Sequence, residues 1–221
     1  MPLYRLFKDE LIGFYKSSVM IVLWVGMPLI GTVLYLMNPA TEPEIPFSVL
    51  FAGLVSGIGG TLASIMISVH LINEKSQQVY ELFLVRPVPR RDILWAKFLA
   101  VFLCVAIASL ISLLLGVFLD LILHGQSIGN TMERNLESLL LGLSTIAVAC
   151  SAGVIIGVIS RTVLLGIVLI VFVSSNISAF VVMLPAMLNI QNPFFFSILS
   201  SVIISAVCLI VANEIFKRIR F

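Results

Sequence analysis

Six apolar runs, each about twenty residues or longer, dominate the sequence, at 18–37, 47–72, 93–119, 136–159, 163–184 and 195–213. A helix that crosses the ~30 Å hydrocarbon core of a bilayer needs about 20 apolar residues. A barrel strand would instead alternate over about 10. The runs therefore predict an all-α integral membrane protein with six transmembrane helices. Charge agrees, because only 11% of the 221 residues are Asp, Glu, Lys or Arg, against about a quarter in a soluble domain. Mean hydropathy is +1.17. Residues 1–221 read as one transmembrane domain, with no room for a second soluble one. The second and third runs are long enough to expect tilt or a broken turn. The first run exceeds the roughly 7–15 residues of a signal-peptide core and no A-x-A site follows it, so it is expected to stay as a helix.

Lys and Arg set the orientation. Arg5, Lys8, Lys16, Lys75, Arg86, Arg90, Arg91, Lys97, Arg161, Lys217, Arg218 and Arg220 fall on one side of the six runs, and only Arg134 on the other. An excess of positive charge marks the cytoplasmic side. Both termini and the 73–92 loop are thus predicted to face the cytoplasm of a multi-pass cell-membrane protein. Ahead of the first run, Leu3, Leu6, Phe7, Leu11 and Phe14 recur at helical spacing. Residues 2–16 are read as an amphipathic helix in the inner interface.

Several chemistries are missing. No Lys follows a Gly, so the chain has no P-loop with which to hold ATP. No H-E-x-x-H or His/Cys cluster offers a metal site. Ser56 and His70 share the second run, but 14 helical residues separate them by about 21 Å, too far for a catalytic dyad. Asp120 and Glu214 lie at run ends, so no carboxylate is expected at the midplane to couple ions. Glu214 is placed to pair with Lys217 or Arg218. Cys104, Cys150 and Cys208 all fall inside runs and read as small buried residues. Gly53-x-x-x-Gly57, Ser56-x-x-x-Gly60 and Gly153-x-x-x-Gly157 predict close helix contacts, within the chain or at a dimer seam. Ser174, Ser175, Asn176 and Ser178 in the fifth run either bond to neighbouring helices or line a path.

The segment 73–98, NEKSQQVYELFLVRPVPRRDILWAKF, carries five of the thirteen Lys and Arg residues. Its first part, Asn73–Phe83, has no Gly or Pro and has a polar and an apolar side. Pro87 and Pro89 then break any helix, and Asp92 is placed to N-cap the third span. Positive charge alone would make this a topology anchor, yet an anchor needs no amphipathic stretch with a proline elbow. The residues Glu74-Lys75, Glu81-Leu82, Pro87-Val88, Arg90, Ile93 and Lys97 resemble the cytoplasmic loop of ABC-2 type transporter permeases, with its P-V-[ST]-R-x-x-I-x-x-G-K element. Leu184-Pro185 and Asn192-Pro193 are similar to the outer P…N-P element of that family. Gln78 and Val79 replace its usual Gly-Thr, Pro89 a Ser or Thr, and Ala96 a Gly.

The resemblance implies the transmembrane subunit of an ABC exporter. The loop at 73–92 would be a coupling helix seated on a separate ATPase subunit. ATP and Mg would be bound by that partner, with no cofactor in this chain. Glu74, Lys75, Glu81, Leu82, Phe83, Arg86 and Arg90 would make the contacts, and Pro185, Asn192 and Pro193 would belong to an outer re-entrant element over 185–194. The chain itself would not be an enzyme. It would work with a second permease copy, in a homodimer, within the lipid bilayer and without nucleic acid. A non-transporting scaffold or assembly factor, and a stand-alone secondary carrier, are the competing readings. The charge bias yields a direct check. A Cys placed at Thr41 should react with an impermeant thiol reagent from outside the cell, and one at Gln77 only from inside; reversed labelling would overturn the assigned orientation.

Overall fold

A computed structural model describes residues 2–37, 55–77, 90–124, 128–187 and 193–218. Its elements are α1 (Pro2–Tyr15), α2 (Ser18–Met37), a π-helical turn (Val55–Gly59) running into α3 (Gly60–Ser76), α4 (Arg90–His124), α5 (Ile128–Ile159), α6 (Val163–Met187) and α7 (Pro193–Arg218). No strand occurs among the described residues. The all-helical expectation holds, and the broken turn expected in the second run appears as the π-helical entry to α3. Three helices among the described residues are by themselves long and apolar enough to cross a membrane, over Arg91–Phe118, Leu136–Ile159 and Phe194–Arg218. They correspond to the third, fourth and sixth runs. The pair Leu6–Tyr15 and Met20–Ile30, bent by 59°, makes a fourth if it counts as one span.

One boundary differs from the sequence reading. The helix α4 begins at Arg90, directly after Pro89, so Asp92 sits inside its first turn and is not its N-cap. There a carboxylate still faces the positive end of the helix dipole. Asp92 is buried, with Arg91 Nε 3.9 Å from its Oδ1.

The centre of the bundle is a contact between helix backbones. A Cβ on Gly153 would lie 2.7 Å from the Ser64 carbonyl oxygen, and one on Gly157 would lie 2.9 Å from the Ser68 Cα. Gly60 meets Ala149 in the same register. Residue numbers rise together along both helices, so α3 and α5 run parallel, as two helices separated by one return crossing must. The small-residue pattern at Gly153-x-x-x-Gly157 thus packs within the chain, against Ser64-x-x-x-Ser68. A Cβ on Gly57 would meet nothing within 4 Å, so that glycine takes no part in this contact.

The other helices wrap this pair. α4 packs on α1, α2 and α5, and α7 lies along α5. Along α4 the buried side carries Ala100, Val101, Cys104, Val105 and Ala108, while Leu103, Leu110, Leu114 and Phe118 point outward. That division suits a helix with protein on one side and hydrocarbon on the other, since lipid tails cover Leu and Phe without cost. The Trp24 indole N–H donates to the Cys104 carbonyl at 3.3 Å and fastens α2 to α4. On α7, Lys217 donates to Glu214 at 2.7 Å, the helix-face pair expected from the sequence. Cys104 and Cys150 are buried and Cys208 half-buried, all as free thiols.

The glycine contact makes a measurable claim. Gly153→Ala should lower stability by about 1–3 kcal/mol, because backbone must shift to admit the methyl group, whereas Gly57→Ala should be close to neutral. Thermal unfolding in detergent would compare them, and equal melting temperatures would contradict the contact.

Candidate functional site

Residues predicted for one side of the membrane meet at one end of the bundle. α3 ends at Ser76, α4 begins at Arg90, and α5 and α6 meet at the Ser160–Thr162 turn. Two adjacent residues on the last turns of α3 tie these ends together, in opposite directions.

Lys75 reaches sideways. Its Nζ donates to the Val158 carbonyl at 3.2 Å, in the last turn of α5. Carbonyls there lack an intrahelical partner, so a cation is well placed. Burial, and then the nearby positive charge of Arg161, hold the Lys75 ammonium below the ordinary lysine range.

Glu74 reaches towards α4. Its Oε1 accepts from Lys97 Nζ at 2.6 Å. The same ammonium donates to Glu10 Oε1 on α1, also at 2.6 Å. The Lys97 side chain is only 1% exposed, and those of Glu10 and Glu74 are 21% and 23% exposed. One buried cation thus joins three helices whose residues lie 87 and 23 positions apart. Both carboxylates crowd one nitrogen, so each is also a neighbour of the other. The ammonium holds together two groups that would otherwise repel. Beside the cluster lies an open cavity of ≈ 350 Å³ lined by Leu6, Asp9, Glu10, Gly13, Phe14, His70 and Glu74. The His70 ring meets the buried Phe14 ring edge-on, with centroids 4.7 Å apart. α1 is therefore a helix as predicted, and its Phe14 end is sunk into the protein.

Glu74 and Lys75, predicted as contacts to a partner, engage α1, α4 and α5 of their own chain. Glu81, Leu82, Phe83 and Arg86 lie outside the described residues, and Arg90 opens α4. Asn176 is exposed on α6 and donates its amide to the Phe172 carbonyl one turn back, so it reaches its own helix. Ser174, Ser175 and Ser178 lie on the same helix, where the side chains fall outside the described residues. Pro185 falls within the last turn of α6 and Pro193 opens α7, the helix position that suits proline best. Asn192 lies outside the described residues with the rest of 188–192, half of the expected re-entrant element.

The sequence marks Lys97 as an inner-face charge and as a motif position, and assigns it no partner. A signal is nonetheless present. Lys97 lies inside the apolar run 93–119, and a charge within such a run calls for a partner.

A family model described as an ABC-2 family transporter protein matches residues 14–176. It takes in α2 to α5, the first half of α6 and the segment between α3 and α4. The chain belongs to the ABC-2 transporter family. A search of curated proteins returned no match.

The charge cluster sets a stability test. Lys97→Leu should cost about 3–5 kcal/mol, because it leaves two neighbouring carboxylates without their cation. Replacing Glu10 and Glu74 by Gln as well should recover much of that loss. A triple variant no more stable than Lys97→Leu would show that the cluster is not what holds these helices together.

Proposed function

We propose that this chain is the permease subunit of an ATP-driven exporter, coupled through the segment between α3 and α4 to a separate ATP-hydrolysing subunit. The observation that carries the reading is the family match over 14–176, which includes that segment. The absence of a P-loop motif supports it, since the chain has no means of its own to use ATP. The charge bias supports a topology of six crossings with both termini and the 78–89 segment in the cytoplasm. In this reading α1 lies at the inner interface. Glu81, Leu82, Phe83, Arg86 and Arg90 contact the ATPase subunit, which binds ATP and Mg. Two permease copies enclose the path, and closure of the ATPase subunits displaces the coupling segments. Ser174, Ser175, Asn176 and Ser178 are candidates to line that path.

The test is recovery of the tagged protein from its native membrane in mild detergent, followed by an ATPase assay. A P-loop subunit should co-purify in stoichiometric amount, and Glu81→Lys or Leu82→Asp should remove it while leaving membrane insertion intact. An ATPase that stays bound in both variants would remove the docking assignment. A chain that transports with no ATPase would be a secondary carrier, and one that binds an ATPase without altering its turnover would be a scaffold.

A further inference from the structure

The two motif residues on either side of the 78–89 segment are bonded to each other. The chain leaves α3 after Ser76, two residues beyond Glu74, and re-enters helix at Arg90, about two turns ahead of Lys97. The Glu74–Lys97 ion pair therefore closes the base of the segment. The same Lys97 ammonium carries the link on to Glu10 and so to α1. Lys75, next to Glu74, carries a second link to the end of α5.

We infer that Lys97 is a positioning residue that makes α1 move together with the base of the 78–89 segment. This rests on the docking role proposed above for that segment. Apolar contacts between helices slide at little cost. A buried ammonium held by two carboxylates does not, because withdrawing either carboxylate strands charge away from water. Displacement of the α3–α4 base is thereby passed to α1 as a unit, and through Lys75 to the α5–α6 turn. The cavity beside the cluster leaves Glu10 room to travel with Lys97.

The experiment uses the complex of permease and ATPase subunit isolated from its native membrane. Nitroxide labels are placed on the exposed position 8 of each of the two permease copies proposed above, through Lys8→Cys in a background with Cys208→Ser, so that the distance between the copies reports displacement of α1. Distances between labels are read with and without ATP and Mg. The expected result is an ATP-dependent shift in the parent complex that is lost in Lys97→Met and in Glu10→Gln, while the ATPase subunit stays bound and continues to turn over ATP. The exchanged pair Glu10→Lys with Lys97→Glu, which keeps one cation between the helices, should restore the shift. Glu10→Gln keeps the Lys97–Glu74 pair, so it reports on the link to α1 even where Lys97→Met folds poorly. An unchanged shift in Glu10→Gln would overturn the inference, as would the absence of any shift in a parent complex that turns over ATP. A parent protein that carries no ATPase subunit would instead remove the docking reading, and this inference with it.

Discussion

One ammonium group organises the charged end of this protein. Lys97 is as inaccessible as the apolar core residues around it, and the attraction of Glu10 and Glu74 offsets the cost of removing its charge from water. Its two partners come from α1 and α3, with α2 between them in the sequence. Through Lys97, α1 and the α3–α4 base are joined beside the cavity that Glu10 and Glu74 line. Paired charges of this kind set a geometry more than they add stability, because desolvation cancels much of the Coulomb gain.

The second constraint is steric. Gly153 and Gly157 let α5 approach α3 so closely that backbone meets backbone at Ser64 and Ser68. Within a membrane, apolar area gives helices no preference for one another over lipid, so close packing must supply the association. The α3–α5 pair forms a rigid axis on that account. One end of it carries Glu74 and Lys75, so the charged cluster sits on this closely packed pair.

Part of this is legible in the sequence. The apolar runs locate the described helices to within a few residues at most ends, since twenty apolar residues in a row have few other fates, but α5 begins at Ile128, well ahead of its run at 136–159. The stripe from Leu3 to Phe14 marks α1, and Gly153-x-x-x-Gly157 marks a close contact. Its partner, Ser64-x-x-x-Ser68, continues the four-residue register of Ser56-x-x-x-Gly60 along α3, where the small size of serine matters more than its hydroxyl. Glu74 and Lys75 are assigned to a partner contact by their place in the loop motif. Whether a charge at a helix end points outward or inward depends on what the next helices bring to it. Here these are Lys97 and the Val158 carbonyl, and no local pattern announces either. Glu10 is hidden for the same reason, lying 87 positions from Lys97 in the sequence.

The most direct measurement is an experimental structure, by electron cryo-microscopy, of the assembly isolated from its native membrane. The account predicts a P-loop subunit seated against residues 78–89 at the end of the bundle where α3, α4 and α5 meet, with Lys97 still held between Glu10 and Glu74. A P-loop subunit bound to another face, or an assembly with Lys97 open to solvent and α1 detached from α4, would contradict it.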